Sequence, residues 1–562
     1  MLEKQQLLEK IKDLENELKK IKSCKRYWLV FEEKTEQFEE KAKNALPLLK
    51  EEKELEISIP SPNGRGLGWG LQDKFNLIIE WDNFHSLSCL QFTHKNKIDV
   101  IYIDPPYNTW NKDFIYNDSF VDKEDSFRHS KWLSFMKKRL VLGKELLSEK
   151  WVIFISIDDN EFTQLKMLCD EIFWENNTDV MIWRKSWEWR DWKMKNTTTF
   201  RKDHEYIICC WKREKYLNKI SEIPNFQNEY WNPDKDKRWP YKAWSISRKE
   251  EASNSNHKNY YTLTSPSWKN FTRQFDISKN DFEKLDKDWR IYWGKSWDAV
   301  PAIKIFINEK REITPYSIFL NKWTTTEWSE QLNKIMCYDL TYFRAKPSFL
   351  IKTLVQLWSS KSSIILDFFA WSWTTWHAVL ELNREDWWNR QFILCSNREN
   401  TKENFEKNIC KNITYERNKR VIQGYTNSKW EKVNWLWWNL KYYTTDFIKI
   451  DKSREDLKTK FKNNCNDLLC IKENTFTKVE LKKEIPWVYI FKNDSSFTII
   501  SYEQIYLQEI RDICKILNKK VNIYIFSLSN YFSEDFIDIK DSVEIKNIPE
   551  TILETYQKIF NF

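Results

Sequence analysis

The sequence predicts an α/β fold: a Rossmann-like core interrupted by an inserted domain, with an N-terminal helical segment and an α+β C-terminal domain. Three observations carry this prediction. Short apolar runs at 75–80, 98–103, 152–157, 364–366 and 391–395 alternate with helical patterns at 85–92, 131–148, 347–357 and 375–382, as expected for parallel strands joined by helical crossovers. Two of these runs, 98–103 and 364–366, feed loops rich in chemistry, and the carboxyl edge of an open α/β sheet is where ligands bind. The alternation stops near 179 and resumes near 340, which marks an insertion.

The elements follow in order. Within 1–70, Leu7, Ile11, Leu14, Leu18 and Ile21 form a heptad stripe with Glu and Lys between them. Such a stripe fits either self-association, giving a homodimer, or packing on the body. Residues 58–70, rich in Gly, Pro and Ser, form a linker. The first half of the core, 71–178, opens with strand 75–80 and Trp81-Asp82-Asn83, then runs through strand 98–103 into Asp104-Pro105-Pro106-Tyr107. After strand 152–157, the cluster Asp158-Asp159-Asn160-Glu161 fits the cap and first turn of a helix better than a metal site. Residues 179–340 are irregular, polar and rich in hydroxyls. The second half of the core, 341–440, ends before the α+β segment 441–562.

Bulk properties narrow the function classes. Net charge is +8, yet 181–340 alone holds 30 Lys and Arg against 22 Asp and Glu, so the excess sits in the insertion. A basic stretch interleaved with aromatics and hydroxyls suits a polyanion such as DNA. Eleven cysteines without a C-x-x-C pair are expected to be scattered reduced thiols, not staples or zinc ligands. No apolar run approaches the length of a membrane span, and the N-terminus is charged from Glu3. No membrane association and a cytoplasmic location are therefore expected.

Glycine and tryptophan are skewed together. The chain has 7 Gly and 32 Trp, whereas ordinary proteins carry about 7% Gly; the two counts combined restore that share. Tryptophans also stand where turn chemistry wants glycine, as in Trp387-Trp388-Asn389, Asp288-Trp289-Arg290 and Trp437-Trp438-Asn439. Many of them are read as glycines encoded by UGA and rendered as Trp. Trp132 and Trp183, in apolar contexts, are read as genuine. With that substitution Asp367-Phe368-Phe369-Ala370-Trp371-Ser372-Trp373-Thr374-Thr375-Trp376 becomes a strand-to-helix glycine loop of nucleotide-binding type.

Asp104-Pro105-Pro106-Tyr107 supplies the second chemistry. Proline cannot donate to a sheet ladder, so the strand stops there, and residues before proline are held extended. The tetrapeptide offers a carboxylate, a carbonyl and a ring face. This set suits an exocyclic amine on a flat heterocycle: Asp104 and the Pro105 carbonyl accept its N–H groups while Tyr107 stacks on the ring.

Together the two motifs resemble the amino-methyltransferases of DNA that use S-adenosylmethionine, in the β-type order with the target-amine motif first. D-P-P-Y is the form that family favours for adenine N6. The likeness is closer still to the modification (Mod) subunit of type III restriction–modification systems, dense at Asp104 to Trp110, Asp367 to Trp376 and Thr414-Tyr415-Glu416-Arg417 to Tyr425. The resemblance implies a site-specific adenine-N6 methyltransferase acting on double-stranded DNA, with 179–340 as its target-recognition domain. It implies catalysis by Asp104, Pro105, Pro106 and Tyr107 on a flipped base, with no metal. It implies donor binding by Asp367, Phe368, Phe369, Ala370, Trp371, Ser372, Trp373, Thr374 and Thr375. Glu399 is the candidate for the ribose hydroxyls, with Asn397 competing; Lys346, before Pro347, matches the donor-side motif; Asp82 is a weaker candidate for the donor's adenine. A restriction (Res) ATPase–nuclease partner is implied, since no G-x-x-x-x-G-K-[ST] loop occurs here even with Trp taken as Gly. The competing expectations are a stand-alone adenine methyltransferase, cytosine N4 as the target, and a non-catalytic DNA-binding protein if the tryptophans are genuine.

Overall fold

The computed structural model describes residues 45–58, 75–109, 127–185, 202–212, 217–222, 230–234, 236–309, 311–319, 346–370, 374–397, 410–426, 438–449, 465–481, 484–517, 519–527 and 542–560, with a few isolated positions between them. The heptad stripe, most of the linker, Trp371, Ser372, Trp373 and Glu399 lie outside the described residues.

Two compact units are formed, one from 1–216 with 317–562 and the other from Leu217–Tyr316. In the first unit, ten strands build one sheet: β1 (Ala45–Glu51), β2 (Phe75–Glu80), β3 (Ile98–Ile103), β4 (Leu147–Ile157), β5 (Thr178–Arg184), β6 (His204–Trp211), β7 (Ile318–Phe319), β8 (Ile364–Asp367), β9 (Gln391–Ser396) and β10 (Asn439–Lys449). Their order is β1-β10-β2-β9-β8-β3-β4-β6-β5-β7. The stretch from β10 to β4 is parallel throughout, and β6 runs antiparallel to both β4 and β5. Both faces of a parallel sheet are covered, so its strands must be apolar throughout. Accordingly Val100, Ile101, Ile103, Val152, Ile153 and Ile155 are wholly buried.

The covering helices are α1 (Asn83–Thr93), α2 (Arg128–Leu146), α3 (Phe162–Phe173), α4 (Ser348–Trp358) and α5 (Thr374–Asp386). Among the described residues, no helix is long and apolar enough to cross a membrane. The order of the strands sets the position of the site. From β8 the chain passes through α5 to β9 on one side, whereas from β3 it passes through α2 to β4 on the other. The crevice between β8 and β3 is therefore the topological switch point of the sheet. The α/β class with a large central sheet is the one the sequence predicts; within 1–70, expected to be helix and linker, Ala45–Glu51 is instead a strand of that sheet.

Domain limits differ from the sequence reading. Strands β5 and β6, inside the segment 179–340, pair into the main sheet, so the separate unit is the narrower Leu217–Tyr316. The apolar run Ile207-Ile208-Cys209-Cys210 of β6 is the reason: it is buried and belongs beside β4. The strand β10, placed by the sequence partly in the C-terminal segment, likewise lies within the main sheet between β1 and β2. Beyond it the chain forms a five-stranded sheet in the same unit. Tyr556 of the last helix (Glu550–Phe560) donates to the Pro47 carbonyl at 2.6 Å.

The second unit has its own small core of Ile246, Leu263, Phe271, Phe275, Phe282, Ile291 and Trp293. This core lies under the hairpin Tyr260–Thr264/Asn270–Gln274 and the helix Lys279–Lys287, which Ser278 caps through the Asp281 N–H. Its ionic centre is Lys304, 2.5 Å from Asp234 and 3.0 Å from Asp236.

Backbone geometry sets two groups of tryptophans apart, while others, such as the exposed Trp231 and Trp239, fall in neither, and Trp376, read from the sequence as a glycine of the loop, is wholly buried in α5. Trp174, Trp268, Trp289, Trp297, Trp387 and Trp487 all take left-handed φ, between 55° and 71°, where a side chain costs about 1–2 kcal/mol and glycine costs nothing. All six are exposed, Trp387 by 90%. Trp132 and Trp183 are each only 1% exposed and are absent from the left-handed set. An exposed indole on a glycine backbone supports the recoded reading, and a buried one on ordinary backbone supports a true tryptophan.

Candidate active site

Strands β3 and β8 lie side by side, with Leu366 opposite Ile101. Asp104, one residue beyond β3, and Asp367, the last residue of β8, thus flank the switch-point crevice. Each carboxylate is 3% exposed. A buried carboxylate must be paired or bonded, and the two solve this differently.

Asp104 faces a cation. Lys346 Nζ lies 3.0 and 3.2 Å from its two oxygens. Burial raises the Asp104 carboxyl above its ordinary range, with Lys346 opposing. Burial lowers the Lys346 ammonium, yet Asp104 and Glu205 together outweigh it and keep the group charged. The same ammonium stands 4.7 Å from the centre of the Tyr107 ring. Lys346 precedes Pro347, the N-cap of α4, and its carbonyl accepts the Thr374 hydroxyl at 2.9 Å. The side chain of this residue, expected on the donor side, thus reaches the target-amine motif, and its backbone is tied to the donor helix.

Two indole and amide contacts hold the tetrapeptide open. Trp132 Nε1 donates to the Pro106 carbonyl at 3.0 Å. Asn108, at φ 57°, donates to Glu161 Oε1 at 2.7 Å, and His129 Nδ1 lies 2.8 Å from the same oxygen. The acidic cluster before α3 does open that helix, but Glu161 makes no side-chain cap. Its role is to anchor the residue after Tyr107. Sequence reasoning missed this because an acid before a helix looks like a cap.

Among the described residues, Asp367 has no cation partner. It accepts the Phe369 N–H at 3.0 Å and the Thr375 hydroxyl at 2.6 Å. Burial pushes its carboxyl up to about 7 against those two bonds. Phe368, Phe369 and Ala370 are buried in the core, so only their backbone is left for a ligand. Beyond β9, the Asn397 Oδ1 is buried and has no hydrogen-bond partner among the described residues. Asp82 caps α1 through the Phe84 N–H at 2.8 Å and lies 3.4 Å from Arg139 Nη2; its carboxylate is already engaged.

A family model described as "DNA methylase" matches residues 98–423. The chain is 29% identical over 376 residues to the type III restriction–modification enzyme StyLTI Mod subunit of Salmonella typhimurium, covering 61% of this chain and 56% of that one. It is 27% identical over 389 residues to the EcoP15I Mod subunit of Escherichia coli, covering 58% and 59%. It thus spans somewhat over half the length of those relatives. The type II methyltransferase M.KpnI of Klebsiella pneumoniae is 28% identical over 397 residues, 65% of this chain and 89% of that protein.

Proposed function

We propose, from the premise that this chain belongs to the DNA methylase family, that it transfers a methyl group from S-adenosylmethionine to adenine N6 in double-stranded DNA. The reading includes service as the modification subunit of a type III system beside a Res ATPase–nuclease. The observation that carries it is the pair of buried acids flanking the switch point, one next to an aromatic ring and a proline carbonyl, the other opening the loop to α5.

The residues present fit a cationic donor. Among the described residues, Asp367 is a buried carboxylate with no cation and Asn397 Oδ1 a buried acceptor with no donor; both suit the ammonium and hydroxyl groups of such a molecule. Asp367 and Thr375, with the backbone of 368–374, would hold it, and Glu399 or Asn397 its ribose. When bound, S-adenosylmethionine supplies an electrophilic methyl group. A target adenine must leave the duplex to reach the crevice, at a cost of a few kcal/mol. Tyr107 returns about 1–3 kcal/mol by stacking. Asp104 and the Pro105 carbonyl accept the two amine hydrogens, draw the nitrogen lone pair out of the ring and aim it. Trp132, by engaging the Pro106 carbonyl, fixes the direction of the neighbouring Pro105 carbonyl. Transfer would form the N–C bond as the donor's S–C bond breaks and a neutral thioether leaves, and Asp104, accepting one of the amine hydrogens, would take the proton that the nitrogen then gives up.

The test is a methylation assay on DNA with protein carrying glycine at the recoded positions, followed by base-resolved analysis of the product. N6-methyladenine is expected at one sequence motif. N4-methylcytosine, or no methyl transfer by a protein that binds the donor, overturns the reading. A second reading, a methyltransferase acting without a nuclease partner, is favoured by the match over 89% of M.KpnI, described as a type II enzyme. Co-purification with an ATPase–nuclease encoded beside it separates the two. The separate unit Leu217–Tyr316 is proposed to choose the site; exchanging it with a relative's should change the methylated sequence.

A further inference from the structure

We infer that Glu205 is a positioning residue of the target-amine site, holding Lys346 so that Asp104 and Tyr107 become available to the base. The inference rests on the reading above. Strand β6 runs against its neighbours, so its first residues, not its last, reach the carboxyl edge where Asp104 stands. Glu205 is the second residue of that strand and is only 9% exposed.

Its two oxygens divide their work. Oε2 lies 3.3 Å from Lys346 Nζ and accepts the Tyr107 hydroxyl at 3.3 Å. Oε1 lies 3.3 Å from Lys185 Nζ. The charged and titratable groups facing this centre are the carboxylates of Asp104 and Glu205, with those of Asp158 and Asp367 close by, the ammoniums of Lys346 and Lys185, and the phenols of Tyr107 and Tyr102. Burial raises the Glu205 carboxyl, but Lys346 and Lys185 outweigh it and keep the group ionised.

The conflict that Glu205 resolves is geometric. Lys346 bonds both oxygens of Asp104 and stands over the Tyr107 ring, the same oxygens and the same region that the amine and the base require. A buried ammonium cannot be set free without a large cost. Because it already touches Glu205, it can give up Asp104 and remain paired by a short shift of its flexible stem. Glu205 thus acts through Lys346 and through the Tyr107 hydroxyl, without touching the reacting atoms.

The test uses Glu205→Gln, which keeps shape and removes charge, in the full-length, glycine-restored protein. Methylation kcat is expected to fall about ten- to one-hundredfold with the KM for DNA nearly unchanged. Removing a negative neighbour lowers the Asp104 carboxyl, so the acidic limb of the pH–rate profile should move to lower pH. A duplex with 2-aminopurine at the target position should show a smaller fluorescence rise with the variant at equal affinity, because Lys346 stays on the ring. Combined with Lys346→Met, the Glu205→Gln substitution should cost little more than Lys346→Met alone. An unchanged kcat and pH profile, or losses that simply multiply in the double variant, overturn the inference. If the wild-type protein methylates nothing, the functional reading fails first, and the fluorescence arm still reports on Glu205. If Glu205→Gln lowers the melting temperature sharply and Glu205→Asp restores stability but not kcat, the role stands.

Discussion

The two edges of the crevice make opposite electrostatic bargains. At the target-amine edge, Asp104 is matched by Lys346, and that ammonium by Glu205. At the donor edge, Asp367 has among the described residues a hydroxyl and an amide and no cation. On the proposed reading the matched edge would receive a neutral base and need only rearrange charges it already owns. The unmatched edge stores a demand for positive charge, which a sulfonium donor with an ammonium group would meet. A site for one cationic and one neutral reactant is best served by such asymmetry.

Four experiments break or sharpen this contrast. The largest effect belongs to Asp104→Ala, which should lower methylation by at least about 1,000-fold, roughly 4 kcal/mol, while duplex affinity stays put; a filter-binding assay beside the activity assay separates the two. Next is Trp132→Gly. Removing a fully buried indole should destabilise the protein by about 3–5 kcal/mol, whereas Trp371→Gly with Trp373→Gly should create donor binding; if Trp132→Gly leaves the melting temperature unchanged, the contrast between genuine and recoded indoles is lost.

The donor edge should also titrate. The Asp367 carboxyl is raised to about 7, so the folded, donor-free protein favours its protonated form. Its contribution to stability is complete below the unfolded value near 4 and is lost as pH rises through about 7, up to about 4 kcal/mol. A cationic donor favours the carboxylate. Donor affinity should therefore rise as pH climbs towards 7, level off above it, and be accompanied by proton release below it. Calorimetry in two buffers measures this, and Asp367→Asn should flatten the curve. The smallest effect is expected from Trp→Gly at 174, 268, 289, 297, 387 and 487, each stabilising by about 1 kcal/mol. Thermal melts that fall with these changes would contradict the glycine-type backbone.

Much of this was legible in the sequence. The strand ending in two prolines had to stop there, and the apolar runs could only be buried strands, so Asp104 and Asp367 were placed at the ligand-binding edge of one sheet; that their strands are neighbours is a finding of the structure. Glu205 was hidden because its strand is antiparallel: nothing in His204-Glu205-Tyr206 says which end of the sheet it will reach. The direction of the Lys346 side chain was equally illegible, since position before a proline fixes the backbone and leaves a long flexible stem free to seek the nearest carboxylate. Glu161 was visible but misassigned, because local chemistry favours a cap and only the tertiary approach of Asn108 and His129 gives it another task. The limits of the insertion were hard to read for a related reason: β5 and β6 pair antiparallel, so no helical crossover pattern in the sequence announces them.

The left-handed backbone at Trp174 has a consequence for heredity. If its codon is UGA, a cell that treats UGA as a stop would end translation there at the latest. The truncated product would lack Glu205, Lys346 and Asp367, and such a recipient would gain a gene but no enzyme. The genetic code itself would then confine this activity to lineages that share the reassignment, a barrier to lateral spread that sequencing codon 174 can verify.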